Sequence, residues 1–343
     1  RMLELAQNIN WSPAHIKEGR CGMWLMGARD WSISRQRYWA SVMPIWKCEA
    51  GVGCGNIKVI GSVKELEELS GKKIDDLHKH IVDKITFKCD RCRGEMRRIP
   101  DVLDCWFESG SMPYAQTHYP FENKEKFEKN FPAEFIAEGQ DQCRAWFYYL
   151  HILGVGIKNS HAFKNVIVNG IALAEDGKKM AKRLQNYPDP SLLFDKYGAD
   201  AMRMYLLQSP VMMAENLNFL EAGVKEALQK NVMILWNVFK FYEIFTQDVP
   251  NPHLEGGQNV LDEWILTRLN QLVAETTKQM NAYDLPRATR PITEFINDLS
   301  TWYIRRSRDR FKSENKNDKI AALATTRFVL TELAKIIAPF VPF

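Results

Sequence analysis

The chain has 343 residues, 45% of them hydrophobic, with 46 Lys and Arg against 42 Asp and Glu and a formal net charge of +4. Its length exceeds what one hydrophobic core usually serves, so at least two domains are expected. The mild positive charge permits a polyanionic partner without demanding one, and no apolar run approaches the roughly 18 to 20 residues that cross a bilayer. With no basic, apolar, small-residue signal order at the start, a soluble and cytoplasmic protein is expected.

Seven cysteines are an odd number, which speaks for metal or free thiols rather than a secreted disulfide framework. Cys48 and Cys54 have five residues between them, and Cys89-Asp90-Arg91-Cys92 is a tight second pair. Gly51, Gly53, Gly55 and Gly94 suit the sharp turns such pairs need. Four thiolates could hold one tetrahedral zinc ion and staple a small insertion from about Trp46 to Pro100, which reads as poor in apolar material of its own. The looser first pair leaves four ordinary thiols as the alternative. Cys21, Cys105 and Cys143 have no partner in the sequence and read as packing residues.

Further along, Phe135-Ile136-Ala137 leads into Glu138-Gly139-Gln140-Asp141-Gln142, and Trp146, Phe147, Leu150 and Leu153 then recur as a helical stripe. A strand-to-helix junction is where doubly wound folds bind nucleotides and small substrates. A polar cap ahead of a core helix would give the same pattern. Asn165-Val166-Ile167-Val168-Asn169-Gly170 is a short apolar run ended by turn residues, the pattern of a buried strand.

After the acidic turn Glu175-Asp176-Gly177 comes Lys179-Met180-Ala181-Lys182-Arg183. Two close lysines on a loop suit a reaction that spreads negative charge over a departing pyrophosphate. Taken alone, a lysine-rich turn is usually just a solvated surface. Asn186-Tyr187-Pro188-Asp189-Pro190-Ser191 stops regular structure, and a helix is expected to restart through Leu192-Leu193-Phe194 and on past Tyr197.

From about Ala222 the strand signals vanish. Apolar stripes at helical spacing run Leu228, Val232, Leu235, Trp236, Phe239, then Leu269, Leu272, Val273, Thr276, then Ile292, Phe295, Ile296, Leu299, Trp302, Tyr303. An antiparallel bundle is expected, with Val249-Pro250-Asn251-Pro252 and Glu255-Gly256-Gly257 as a loop between helices. Arg305, Arg306, Arg308, Arg310 and Lys312 read either as phosphate contacts or as a solvated face paired with local acids such as Asp309 and Glu314.

These segments resemble class I aminoacyl-tRNA synthetases. The lysine pentapeptide, with Tyr187-Pro188-Asp189-Pro190 and Tyr197-Gly198-Ala199-Asp200-Ala201-Met202-Arg203 after it, is similar to the KMSKS signature of that class. Residues 29–39, with Pro44-Ile45-Trp46, look like a block shared by the isoleucyl, valyl and leucyl enzymes. Residues 101–115 are most similar to the isoleucyl family, in its archaeal and eukaryotic-like branch, and residues 261–269 and 298–308 resemble the anticodon-binding domain.

The resemblance covers nearly the whole chain and implies an α/β fold. Residues 1–221 would be the second half of a Rossmann-like catalytic domain, with a zinc-ribbon-like insertion at 46–100 and a lysine-loop and stem-contact region at 171–221. Residues 222–343 would be an incomplete all-α anticodon-binding bundle. It implies ATP with Mg2+, L-isoleucine and tRNA(Ile) as the molecules handled, while structural Zn2+ and the expectation of no membrane rest on the cysteine spacing and the composition. Lys182 and Lys179 would be catalytic, with Lys182 contacting ATP. Glu138, Gly139, Asp141 and Gln142 would contact the adenylate, and Trp146 would wall the isoleucine side chain. Arg305, Arg306, Arg308 and Arg310 would meet tRNA.

Some residues depart from the family pattern: Ala181 replaces a serine, Ala40 a glycine, and Cys143 and Ala145 stand where Thr or His and Gly are usual. The histidines, at 15, 78, 80, 118, 151, 161 and 253, form no His-x-Gly-His motif, so an internal portion of a longer enzyme is expected, without the upstream editing insertion. A valyl enzyme and a catalytically inert tRNA-binding module derived from such an enzyme are the competing readings.

Overall fold

The computed structural model describes residues 1–50, 53–246, 252 and 259–343. The loop expected at 249–257, apart from Pro252, and the turn residue Gly51 lie outside the described residues. The chain forms two compact units. One comprises Arg1–Ile9, Lys17–Phe135 and Asp141–Asn165, and the other Asn10–Ile16, Ile136–Gln140 and Val166–Phe343.

In the first unit a four-stranded antiparallel sheet has the spatial order Ile57–Val59, Ile45–Cys48, Glu95–Arg98, Thr86–Lys88. Trp46 faces inward, donates its indole N–H to the Ile85 carbonyl at 2.9 Å and packs against Phe87. Around them Ile60, Leu66, Ile74, Val82, Ile85 and Met96 are buried. The segment read as poor in apolar residues therefore has a core of its own. Its apolar positions are scattered over short strands and helices, where no single period gathers them.

Also in this unit, Asp104 caps the helix Cys105–Gly110 by accepting from the Trp106 N–H at 3.2 Å. That helix lies against Trp146–Lys158, so closely that a Cβ on Gly110 would sit 3.0 Å from the backbone of Tyr149. The expected stripe of the longer helix is real: Phe147, Leu150 and Leu153 are buried and Trp146 is half-buried.

Most of a three-stranded sheet belongs to the second unit: its middle strand is Phe163–Asn169, between Asn10–Ser12 and Ala133–Gly139. Val166, Ile167 and Val168 are buried, as the apolar run implied. The strand ends at Gly170, whose backbone passes Glu215 so closely that a Cβ would lie 1.7 Å from its carbonyl oxygen. A parallel pairing of Ala172–Leu173 with Leu217–Asn218 then launches the lysine loop.

The bundle follows. Its helices are Glu221–Ala227 running through a π segment into Ile234–Thr246, then Val260–Asn281, Leu285–Asn297 with a π continuation Asp298–Ile304, and Lys316–Ile337. Side chains of Asn259, Asp284 and Asn315 cap three of them, each satisfying backbone N–H groups that the helix leaves unpaired. The second and third stripes face the core, except Val273 and Trp302, which are exposed. The first stripe does so only in part: Leu228 and Leu235 pack against core clusters, but Val232, Trp236 and Phe239 are exposed, while Val224, Ala227, Asn231 and Val238 are buried. The π segment turns the helix by an extra residue, so a face extrapolated at ordinary helical spacing drifts off the core.

Arg310 lies in this core. Its guanidinium grips Asp262 with two bonds of 2.8 and 2.7 Å and Asp318 with a third of 2.8 Å, and the Tyr303 hydroxyl donates to Asp262 at 2.7 Å. Burial first, then the Asp262 charge, hold the Tyr303 hydroxyl far above its ordinary pKa, so it stays a donor. Asp262→Ala leaves a buried guanidinium half-paired and is expected to cost about 3–5 kcal/mol in urea denaturation. A cost below about 1 kcal/mol would show that the pairing is dispensable.

Candidate functional site

Cys48, Cys54, Cys89 and Cys92 converge, their sulfurs all within 4.8 Å of one another. Cys48 and Cys92 are 3.4 Å apart, and Cys54 and Cys89 3.7 Å. Sulfurs on a tetrahedron around a metal bound at about 2.3 Å are about 3.8 Å apart, so the donor set fits zinc. The cradle is tight. A Cβ at Gly94 would lie 2.4 Å from the Ala50 methyl and 3.2 Å from the sulfurs of Cys48 and Cys92. Burial opposes ionisation of Cys89, but backbone N–H groups of Cys92 and Arg91 and the Asn56 amide pull its thiol down to about 6. One thiolate is thus prepared by the protein itself.

The lysine loop is built around one apolar residue and one amide. Met180 packs onto the cluster of Leu193, Ala201, Met202, Phe219 and Val224. The Asn186 side chain accepts from the Ala181 N–H at 3.0 Å and donates to the Lys179 carbonyl at 3.2 Å, closing the loop without the hydroxyl that Ala181 lacks. Gly177, at φ 77°, makes the acidic turn, where Lys178 pairs with Asp176 at 2.9 Å. Lys179 and Lys182 are exposed, and neither ammonium has a carboxylate partner among the described residues. Asp189 then caps the helix Pro190–Tyr197, and Gly198 separates it from Ala199–Leu207, where one continuing helix was expected.

Glu138 and Gly139 end the strand Ala133–Gly139, with the Glu138 side chain exposed. The 3₁₀ turn Gln140–Arg144 follows. Asp141 is exposed, while Gln142 accepts from the Trp146 N–H at 3.0 Å and donates to Asp141 at 3.0 Å. Gln142 therefore tops the helix as the plainer reading held, and keeps Asp141 beside it. Trp146 donates its indole N–H to the Ser109 carbonyl at 3.1 Å.

Sequence reasoning missed what surrounds that indole. Trp106 stacks on Tyr149, their ring centroids 5.6 Å apart, and Trp31 lies 4.5 Å from the same tyrosine. Asp104 fastens this aromatic group by accepting from Trp31 at 2.8 Å and pairing with Arg35 at 2.6 Å. Burial raises its pKa, but these partners hold it below the ordinary carboxylate range. Residues 29–39 and 101–115 stood out only as separate blocks; the carboxylate that joins them gives no local signal.

Cys21 and Cys143 are a disulfide, with Cα atoms 5.0 Å apart and 122 residues between them in sequence, which corrects their reading as packing thiols. Cys105 remains free and exposed. The arginine cluster divides. Arg305, Arg306, Arg308 and Lys312 are exposed, and the Arg306 guanidinium lies 4.2 Å from the exposed Trp302 ring. Arg310, read as a phosphate contact, is buried in its ion pairs with Asp262 and Asp318, so its charge is already spoken for. The structure thus brings the four cysteines together, separately keeps Asp141 and Trp146 beside Gln142, holds Lys179 and Lys182 on one loop, and sets Arg310 apart from its neighbours.

Residues 1–218 match the family of class I tRNA synthetases (I, L, M and V), and residues 262–343 the anticodon-binding domain of tRNA ligase. Isoleucine–tRNA ligases of Treponema denticola, Protochlamydia amoebophila and Chlamydia muridarum are 50%, 47% and 51% identical to it across 100% of this chain. The chain spans about a third of the length of these curated relatives, 32–33%. None of these three is archaeal or eukaryotic, so the expected branch is not borne out.

Among solved structures, Agrobacterium radiobacter K84 LeuRS, in a ternary complex with tRNA and LeuAMS, matches 96% of this chain and 42% of its own. The identity is 20% and the TM-score 0.69. Mycobacterium tuberculosis methionyl-tRNA synthetase with methionyl-adenylate matches 99% of this chain and 57% of its own, at 17% identity and TM-score 0.69. At such identities they speak for the fold, a class I catalytic region followed by a helical anticodon-binding domain. No helix among the described residues is long and apolar enough to cross a membrane. The matched span and the fold agree, and the chain belongs to the class I tRNA synthetase family that groups the I, L, M and V enzymes.

Proposed function

We propose that this chain supplies part of an isoleucine–tRNA ligase, which joins L-isoleucine to ATP as an adenylate and passes the acyl group to tRNA(Ile). The observation that carries the reading is the roughly 50% identity to isoleucine–tRNA ligases over all of this chain. The loop supports it, since Lys179 and Lys182 are held on a fixed base, exposed and with no carboxylate partner among the described residues.

In this reading the isoleucine carboxylate attacks the α-phosphate of ATP and pyrophosphate leaves. Lys182, with Lys179, stabilises the charge growing on the leaving group. Mg2+, when bound, would neutralise phosphate charge. Glu138, Gly139, Asp141 and Gln142 hold the adenylate, and Trp146, braced on Ser109, walls the apolar side chain. Arg305, Arg306 and Arg308 meet tRNA phosphates, whereas Arg310 keeps the bundle folded. Cys48, Cys54, Cys89 and Cys92 hold a structural zinc, which would cross-link the turns around it. The catalytic part is residues 1–221, with the insertion at 46–100, and the tRNA-binding bundle is residues 222–343. Cytoplasmic residence goes with this role.

ATP–pyrophosphate exchange by the gene product that carries this chain tests the reading. Isoleucine should support exchange, with valine weaker by about 10–200-fold, the scale of one methylene in an apolar pocket. Preference for valine would move the assignment to the valyl enzyme. Salt-sensitive tRNA binding without exchange for any amino acid would leave an inert binding module.

A further inference from the structure

The turn that presents Asp141 and Gln142 is tied twice to one short stretch of chain. Cys143 is bonded to Cys21, the last residue of the helical turn Lys17–Cys21. Next to it, the Arg144 guanidinium lies 5.1 Å from the ring of Trp24, which meets Tyr148 edge-on. Both sulfurs are buried, at 4% and 2% exposure. The turn itself is a single 3₁₀ stretch of five residues, a conformation with poor hydrogen-bond geometry and little stiffness of its own. Its other side-chain ties include the local Gln142 bonds to Asp141 and to the Trp146 N–H, and a long hydrogen bond of 3.4 Å from the Gln140 amide to the Asn216 side chain at the start of the turn. Among the described residues the sulfur bond is the one covalent tie from the turn to a distant segment, and the one that an electron pair can open.

We propose that Cys21 and Cys143 form a thiol–disulfide switch that fixes the turn bearing Asp141 and Gln142 when oxidised and releases it when reduced. The functional consequence rests on the reading that those two residues contact the adenylate. Closure needs a small disulfide such as oxidised glutathione. One protein thiolate attacks it and expels one small thiol, and the second protein thiolate then attacks the mixed disulfide and expels the other. The cysteine pair loses two electrons and two protons, which end on the two small thiols. A dithiol such as dithiothreitol runs the exchange backwards and leaves as its own cyclic disulfide. Because both sulfurs are buried, either direction waits on local opening of the turn.

Hydrogen exchange over residues 140–146 of the 343-residue chain tests this, with zinc in excess throughout. Oxidised protein should be two hydrogens lighter by mass and give a linked Cys21–Cys143 peptide on non-reducing digestion. Reduction with dithiothreitol should speed exchange at these amides by about tenfold or more, as expected when a local opening becomes cheaper. Cys21→Ser and Cys143→Ser should show the fast rate in either buffer, and oxidised glutathione should restore the slow rate in the unsubstituted chain alone. Equal rates in both redox states, or two free thiols in oxidised glutathione, would overturn the proposal. In ATP–pyrophosphate exchange by the gene product that carries this chain, reduction should raise KM for isoleucine while leaving kcat unchanged, reversibly, and only where both cysteines are present. Absence of pyrophosphate exchange in both redox states would overturn the ligase reading on which the roles of Asp141 and Gln142 rest, while leaving the amide result standing. Redox-insensitive KM with responsive amides would overturn the switch as a control of substrate binding.

Discussion

Lys182→Ala should slow isoleucine-dependent ATP–pyrophosphate exchange by about ten- to a thousandfold, the scale of losing one preorganised electrostatic contact. The size follows from where the charge is held. The Lys182 ammonium has no carboxylate to neutralise it among the described residues, while the backbone beneath it is pinned by Met180 and clamped by Asn186. A group that engages only as pyrophosphate departs lowers the barrier without tightening the ground state, so the loss should fall on kcat more than on KM. Wild-type kinetics in the Lys182→Ala protein would remove Lys182 from the mechanism. Asn186→Ala distinguishes position from charge. It leaves both ammonium groups in place and releases the Ala181 N–H and Lys179 carbonyl from their clamp, so a smaller loss is expected there.

Removal of metal is the second large effect. Protein from zinc-replete medium should carry about one zinc per chain, and Cys89→Ser with Cys92→Ser should abolish it. Metal contributes the whole folding free energy of many small zinc domains, about 10–16 kcal/mol in finger peptides. The demand is smaller here, because Trp46, Ile60, Leu66, Val82, Ile85, Phe87 and Met96 already form a core. Chelation should therefore free the turns around Cys54 and Cys92 first, with hydrogen exchange rising at residues 53–59 and 89–96 and unchanged across the helices of the bundle. Acid should do the same. Thiolate ligands must stay deprotonated, and Cys89, at about 6 before metal binds, takes up its proton as pH falls through that value, so zinc affinity is lost on the acid side. Metal-free protein from zinc-replete cells would leave the four sulfurs without a ligand role.

Local pattern carried much of the fold. Val166, Ile167 and Val168 read as a buried strand because three apolar residues end in Asn169-Gly170, and they are one. The stripes through Leu269 and Ile292 read as core for the same reason of period. Where the backbone departs from a regular period, the reading failed: the π segment Leu228–Met233 rotated Val232, Trp236 and Phe239 outward. The four cysteines were legible because pairs close in sequence mark a metal knuckle. Cys21 and Cys143, 122 residues apart, carry no such mark. Arg310 illustrates the same limit for charge. Its partners Asp262 and Asp318 come from two other helices, and nothing in residues 305–312 distinguishes it from the exposed arginines beside it.

The loop bracket made by Met180 and Asn186 places adaptability in an unusual position. With the main chain fixed on either side of Met180, the reach of Lys179 and Lys182 toward a phosphate resides in their four-carbon stems. Such a stem can follow a migrating negative charge by rotating about single bonds, on a timescale far shorter than the movement of a whole loop. Arginine at the same place would keep the sign of the charge yet present a flat fork with set directions, which suits a stationary phosphate better than a departing one. The bracket thus favours a point charge on a tether over a rigid clamp, and it makes side-chain length, rather than loop sequence, the quantity that selection at these two positions would tune.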